Sequence, residues 1–138
     1  MYILDTDHAS LYQQGHPAIG RRLALLPPDQ LAITVITFEE QVAGRLSMIR
    51  KARNDEERMQ AYAWMQRTLR FYCDLPVLPF NETAAGQFRR LLALRLKVGT
   101  QDLLIASVAL ANEMTLLTRN VRDFQKVPGI RYEDWSIP

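Results

Sequence analysis

The sequence has few of the features that stabilise secreted proteins or anchor membrane proteins. Among 138 residues there is one cysteine, Cys73, so an internal disulfide is excluded. No apolar run approaches the length of a membrane-spanning helix. The first residues also lack the basic start and the long apolar segment of a signal peptide. We therefore expect a soluble, cytoplasmic protein that makes no membrane contact.

Several common catalytic motifs are missing as well. The chain has no GxSxG of serine hydrolases, no GxxxxGK phosphate loop, no GxGxxG dinucleotide motif and no paired CxxC for zinc. The two histidines, His8 and His16, have no metal-binding spacing and are not expected to take part in catalysis. A net charge of +2 is too small to indicate nucleic-acid binding by itself. The positions of the acidic residues are the main remaining indication of function.

The order of strands and helices predicts the fold class. The length indicates one domain over residues 1–138. Apolar strands are predicted at 1–4, 31–36, 76–80 and 115–118, with an edge strand at 130–132. Helices are predicted at 17–26, after Thr37, at 54–74, 81–97, 101–112 and 120–126, with a turn region between 5 and 16. This alternation predicts an α/β fold, a three-layer α/β/α sandwich around a central parallel sheet of four to five strands.

Two details of these helices are also predicted. Gly99 is expected to end the helix at 81–97. The helix at 54–74 carries Met59, Tyr62, Leu69 and Cys73 at helical spacing, so Cys73 is expected in the core and not as a nucleophile.

Acidic residues recur where the predicted sheet has its carboxyl edge. Helices of such a fold begin at this edge. The edge therefore brings together residues that are distant in sequence, namely Asp5, Glu39, Glu40, Asp102 and the segment from Asn120 to Asp123. A hard divalent cation held by oxygen ligands explains this convergence economically.

Most of these residues also have a structural interpretation. Thr37 and Glu40 have the spacing of a capping box, in which Glu40 would bond the amide groups of its own helix. The negative charge of Asp102, in the first turn of a predicted helix, would interact favourably with the helix dipole. Asn120 with Asp123 repeats the cap spacing. Asp5 directly follows a strand, and for it the functional interpretation is favoured.

The first acidic motif leaves a second enzyme class open. DTD at residues 5–7 is similar to the DxDx(T/V) motif of haloacid-dehalogenase-type phosphatases, in which the first Asp is a nucleophile. Ala9 stands where that motif has Thr or Val. A phosphatase with Asp5 as aspartyl nucleophile is therefore an alternative.

Five segments in order resemble a known family. They are DTD at 5–7, EEQVAG at 39–44, GTQDLLIASVAL at 99–110, TLLTRNVRDF at 115–124 and YEDW at 132–135. The chain resembles PIN-domain proteins, and more narrowly the VapC-type ribonuclease toxins of type II toxin–antitoxin systems. The resemblance implies a PIN-like fold and an endoribonuclease that depends on Mg²⁺, with Mn²⁺ as a substitute.

The resemblance also implies roles for individual residues. Asp5 and Asp102 would be metal ligands, and Glu40 would be a ligand or would orient the attacking water. Asn120, which stands where many relatives have Asp, would support the catalytic site together with Asp123. The remaining implied residues are Thr6, Asp7 and Thr118 as supporting groups and Arg119, Arg122 and Lys126 as RNA-binding groups.

Partners are implied in the same way. A cognate antitoxin would neutralise the enzyme, RNA would be its substrate, and a homodimer is expected. The apolar side chains of the helix at 54–74, among them Trp64, Met65 and Phe71, offer a surface for one or both protein contacts. A non-catalytic PIN fold that binds RNA or a partner is a further alternative, because Asn120 carries no charge.

Overall fold

Five short parallel strands form the centre of the computed structural model, which describes residues 1–138. They are β1 (Tyr2–Leu4), β2 (Leu31–Thr34), β3 (Val77–Leu78), β4 (Thr115–Leu117) and β5 (Tyr132–Glu133). Their order in the sheet is β3-β2-β1-β4-β5, and every neighbouring pair is parallel. Asp5 therefore follows the central strand.

Seven helices cover the sheet. They are α1 (Thr6–Gln13), α2 (Pro17–Ala24), α3 (Val35–Lys51), α4 (Asp55–Cys73), α5 (Glu82–Ala93), α6 (Thr100–Ala111) and α7 (Val121–Phe124). The sheet and its two helical layers confirm the predicted α/β/α sandwich. None of the helices is long and apolar enough to cross a membrane.

Consecutive side chains of β1 point to opposite faces of the sheet and belong to two separate cores. Ile3 packs with Leu116 and with residues of α5, α6 and α7. Leu4 packs with Ile33, Leu117 and residues of α1 and α2. This alternation follows from the two-residue period of a strand and explains why both faces need a helical layer.

The strand register aligns three polar residues at the carboxyl edge. Leu4 lies opposite Ile33 of β2 and opposite Leu117 of β4. The next residue of each chain segment is polar, and these residues are Asp5, Thr34 and Thr118, all of them buried. The edge is therefore a row of buried hydrogen-bonding groups directly above two apolar cores.

The prediction of a turn region at 5–16 is wrong, because α1 begins immediately after Asp5. The carboxylate of Asp5 is the N-cap of this helix and accepts a hydrogen bond from the backbone N–H of His8. Helix α1 buries only His8 and Ala9, so it has no apolar stripe that a sequence pattern could detect.

Two further predictions about helices are wrong. Helix α5 ends at Ala93, and Arg95 then adopts a positive φ of 51°, so Gly99 does not end α5 but is the N-cap of α6. Helix α4 does not bury the predicted apolar residues: Met59, Tyr62 and Leu69 are exposed, and so is Cys73. The thiol expected in the core therefore lies at the surface.

Candidate active site

Asp5 is a buried carboxylate at the centre of the carboxyl edge. Asp5 is 5% exposed, and its Oδ1 accepts the backbone N–H of His8 at 2.8 Å. Burial raises the pKa of Asp5 from 3.8 to about 7, an increase that the hydrogen bonds from His8 and Thr118 oppose and that the charges of Asp7 and Asp102 reinforce. Without a compensating positive charge, this carboxylate is therefore poorly stabilised in its ionised form.

Glu40 lies one turn into α3 and faces α1. The N-cap of α3 is Thr34, whose Oγ1 accepts the N–H of Thr37, so the predicted capping box of Thr37 and Glu40 does not form. Instead, Thr6 donates a hydrogen bond from Oγ1 to Oε1 of Glu40 at 2.6 Å. This hydrogen bond links Glu40 to the first residue of α1, directly after Asp5. Its neighbour Glu39 is exposed and accepts from Nε2 of Gln101.

Asp102 is in the first turn of α6, after an N-cap glycine that offers no side chain. Burial raises the pKa of Asp102, and the charges of Glu40 and Asp123 raise it further, whereas a hydrogen bond from Asn120 lowers it. Asp102 thus lies within the electrostatic reach of both Glu40 and Asp5. The structure brings the three predicted acidic residues to one end of the sheet.

Asn120 connects two carboxylates at the far side of the site. It is the N-cap residue of α7, but its side chain makes no capping bond. Its Nδ2 group donates to Oδ2 of Asp102 at 3.1 Å and to Oδ2 of Asp123 at 3.0 Å. The hydrogen bond from Asn120, with the nearby Lys126 and Arg122, lowers the pKa of Asp123. Asn120 therefore bridges the two acidic side chains without adding a charge.

Thr118 links the Asn120 side of the site to Asp5. It is fully buried, and its Oγ1 accepts the backbone N–H of Asn120 at 2.9 Å. Its side chain also bonds Asp5, where it lowers the pKa of that carboxyl. The hydroxyls of Thr118 and Thr6 therefore both interact with acidic side chains of the site.

Three basic residues border the acidic site. Arg119 forms a two-point ion pair with Asp7, with Nε–Oδ2 at 2.5 Å and Nη2–Oδ1 at 3.2 Å. Lys126 lies 3.4 Å from Oδ1 of Asp123, and Arg122 is exposed on α7. Asp7 thus neutralises an arginine at the rim, and its charge acts on Asp5 only from a distance.

The donor chemistry of the site fits a hard divalent cation. Carboxylate oxygens are the ligands that Mg²⁺ prefers, and the ionised Asp5 and Asp102 destabilise each other, which a bound cation would relieve. No group of three or more His, Cys, Asp or Glu side chains is arranged closely enough to hold one ion. Asp5, Glu40 and Asp102 therefore share an electrostatic environment without forming a closed ligand cage.

One neighbour of this site was not expected from the sequence. His8 is fully buried beneath Asp5, and burial lowers its pKa. The sequence gives no spacing to a second ligand that would have drawn attention to it. The one feature of the sequence that could have indicated a role for His8 is its position directly after DTD. The sequence did not predict helix α1, which contains His8.

The fold and this arrangement of acidic residues correspond to a known family. The family model described as PIN domain matches residues 2–130, and the chain belongs to this family. Among curated proteins it is 30% identical over 138 residues to the tRNA(fMet)-specific endonuclease VapC of Salmonella typhimurium, covering 97% of both chains. It is 28% identical over 142 residues to ribonuclease VapC1 of Haemophilus influenzae, covering 99% of this chain and 98% of the relative.

Solved structures agree with the sequence comparison. The VapBC2 complex of Rickettsia felis, bound to a DNA fragment from its promoter, contains a chain that matches with a TM-score of 0.77 and 26% identity. That match covers 97% of this chain and 98% of the other. The relatives' names describe ribonucleases and endonucleases, so the alternative of a phosphatase with Asp5 as nucleophile finds no support in them.

Proposed function

We propose that this protein is an Mg²⁺-dependent endoribonuclease toxin that a cognate antitoxin neutralises. The observation that carries the proposal is the convergence of Asp5, Glu40 and Asp102 at the carboxyl edge of the sheet, with pKa values of Asp5 and Asp102 raised in part by neighbouring negative charge. A full-length match to relatives named as ribonucleases and endonucleases supports the same activity.

The acidic side chains would divide the catalytic work. Asp5 and Asp102 would hold the cation, and Glu40, which accepts a hydrogen bond from the hydroxyl of Thr6, would align the attacking water. When bound, Mg²⁺ supplies the Lewis acidity that activates water and offsets charge on the phosphoryl oxygens, a role that Mn²⁺ also fills. Asn120 donates to Asp102 and Asp123 and so keeps the far side of the site in place.

The basic border provides a binding surface for the RNA backbone. Arg122 and Lys126 lie beside Asp123 at the edge of the site, and Arg119 is held at the rim by Asp7. Contacts between such residues and phosphate supply affinity without reading sequence, and they weaken as salt rises. These residues would also offset the repulsion between the acidic site and the RNA.

The antitoxin proposal rests on the family and on an exposed surface. Structures similar to this chain include VapBC complexes and a toxin–antitoxin complex from Klebsiella pneumoniae. Helix α4 exposes Met59, Tyr62 and Leu69, an apolar surface suited to an antitoxin or to a second copy of the chain. The homodimer remains a prediction.

Two neighbouring glutamates provide a matched test of the activity. Purified protein is given RNA with Mg²⁺ or with EDTA, beside Glu40→Gln and Glu39→Gln. We expect Glu40→Gln to lose cleavage by ~100-fold or more, as when a group that positions water in a metal-assisted hydrolysis is removed. Glu39 is exposed and accepts a hydrogen bond from Gln101 at the surface, so Glu39→Gln should cleave like wild type. Cleavage that persists in EDTA, or equal effects of the two substitutions, would contradict the proposal.

A non-catalytic PIN fold that binds RNA is the second candidate. Asn120 favours it, because its amide satisfies Asp102 and Asp123 without a cation. This candidate predicts that Mg²⁺ changes neither the thermal stability of the protein nor the turnover of RNA. A thermal melt with and without Mg²⁺, run beside the cleavage assay, separates the two functions.

A further inference from the structure

The ring of His8 has a fixed orientation in the core. It is fully buried at the start of α1, and Nε2 accepts the backbone N–H of Trp135 at 3.1 Å. A ring nitrogen that accepts a hydrogen bond carries no hydrogen, so the proton of the neutral ring must be on Nδ1. The backbone of Trp135 therefore selects the Nδ1–H tautomer of His8.

The opposite nitrogen of this ring has no hydrogen-bond partner. Nδ1 of His8 is the one buried side-chain nitrogen or oxygen of the chain that lacks one. The nearby carboxylate oxygen is Oδ1 of Asp5, at 3.7 Å, which is about 0.7 Å beyond an ordinary N–H···O distance. Buried donors without a partner are rare in folded proteins, and an individual case calls for an explanation.

The same oxygen of Asp5 is already held by the backbone of His8. Oδ1 accepts the His8 N–H at 2.8 Å, and Nδ1 of the His8 ring lies 3.7 Å from the same oxygen. His8 is anchored in turn by the C-terminal segment: Trp135 is 6% exposed, and its ring lies 4.7 Å from that of Tyr2. A chain of contacts thus runs from Trp135 through His8 to Asp5.

We propose that His8 is a positioning residue: its unpartnered Nδ1–H, 3.7 Å from Oδ1 of Asp5 in the cation-free protein, donates to that carboxylate when Asp5 binds a cation, and the backbone of Trp135 fixes the tautomer. The proposal rests on the proposed function, since it assigns Asp5 to the cation. Histidines and other groups that hydrogen-bond a metal-ligating carboxylate fix its direction, and their loss lowers metal affinity by about 10- to 100-fold.

Two substitutions of His8 separate its two contacts. In His8→Asn, the amide nitrogen lies near the position of Nδ1 and keeps the donor toward Asp5. In His8→Gln, the longer amide reaches the position of Nε2 and keeps the acceptor for Trp135 but not the donor. Mn²⁺ binding by titration calorimetry and Mg²⁺-dependent RNA cleavage are measured for both variants, with circular dichroism to verify folding.

The asparagine variant should rescue what the glutamine variant loses. We expect Mn²⁺ affinity and cleavage of His8→Asn to stay within about 3-fold of wild type, and Mn²⁺ affinity of His8→Gln to fall by about 10-fold or more. A His8→Gln variant that binds Mn²⁺ like wild type, or an asparagine variant that is as weak as the glutamine variant, would overturn the proposal. Wild type that binds Mn²⁺ but cleaves no RNA would contradict the proposed function alone.

A measurement on the unmodified protein tests the tautomer without any variant. Long-range ¹H–¹⁵N spectra distinguish the two neutral forms of an imidazole ring. The chain has two histidines, and Nδ1 of His16 accepts from Ile19 at 3.5 Å, which favours the opposite tautomer. We expect an Nδ1–H pattern for His8 and an Nε2–H pattern for His16. An Nε2–H pattern for His8 would overturn the proposal whatever the variants do.

Discussion

Replacing Asp5 by asparagine should stabilise the cation-free protein at alkaline pH. The pKa of Asp5 rises from 3.8 to about 7 on folding, chiefly because of burial. A raised carboxyl pKa means that the folded state prefers the protonated form, so the stability from this group is complete below pH 3.8 and is lost as pH rises through about 7. At about 1.36 kcal/mol per pKa unit, the loss is about 4 kcal/mol in all, of which about 2.5 kcal/mol falls between pH 5 and pH 8.

The asparagine side chain cannot ionise, yet it caps a helix as well as aspartate does. The free energy of unfolding of Asp5→Asn relative to wild type should therefore rise by about 2.5 kcal/mol from pH 5 to pH 8. Urea unfolding in EDTA at both pH values measures this difference, and comparison with wild type cancels the titration of other groups.

Adding Mg²⁺ at pH 8 is the control for this effect. Wild type should regain about 2.7 kcal/mol when the ion is present at 100 times its dissociation constant, and Asp5→Asn should regain much less. A stability difference that stays constant between pH 5 and pH 8 would refute the account of Asp5 as a buried carboxylate that needs a cation.

Three further substitutions test other parts of the site. Thr6→Val removes the 2.6 Å hydrogen bond to Glu40 and should slow cleavage about 10-fold at a stability cost of ~1 kcal/mol, whereas Thr6→Ser should retain activity; equal rates for both would contradict a role in orienting Glu40. Asn120→Asp replaces two donated hydrogen bonds by repulsion between carboxylates and should lower the free energy of unfolding in EDTA by about 1–3 kcal/mol. Mg²⁺ should reverse this loss in a thermal melt, and a melting temperature equal to that of wild type in EDTA would contradict the prediction. Arg122→Ala should weaken RNA binding and reduce the slope of log affinity against log salt by about 0.7, measured by fluorescence anisotropy; an unchanged slope would show that Arg122 makes no phosphate contact.

The sequence predicts the sheet and most of the helices because their signals are local. The apolar strand predicted at 31–36 and the proline at the start of Pro17–Ala24 are examples. Both are confirmed, although the strand ends at Thr34 and residues 35 and 36 already belong to α3. The structure also brings Asp5 and Asp102 together, because strands of such a sheet end, and helices such as α6 begin, at one edge. The metal-binding roles of these residues remain predictions.

What the sequence could not predict depends on contacts between distant residues. The face of α4 that packs against α3 includes buried polar contacts: Nε of Arg45 donates to Oγ1 of Thr68 at 3.0 Å, and the hydroxyl of Tyr72 donates to Oε1 of Gln41 at 2.8 Å. Hydrophobic periodicity assigns the large apolar side chains of α4 to the core, but in the structure they lie at the surface. A pattern of side-chain types cannot identify a helix interface that is built from hydrogen bonds.

Two other misjudged features have the same origin. The capping box of Thr37 and Glu40 does not form because α3 begins earlier, at its N-cap Thr34. The carboxylate of Glu40 instead accepts a hydrogen bond from Thr6, which is 34 residues away. The orientation of His8 depends on the backbone of Trp135, which is 127 residues away. In both cases the partner becomes visible only when the sheet brings the two segments together.

The most direct test of the proposed ribonuclease activity is to map RNA ends after incubation with the purified protein. Total bacterial RNA is treated with wild type in Mg²⁺, with wild type in EDTA, and with Asp102→Asn in Mg²⁺, and the new 5′ ends are sequenced. We predict a small set of defined ends that appears only with wild type and Mg²⁺. The same ends in EDTA or with Asp102→Asn, or no new ends at all, would contradict the account.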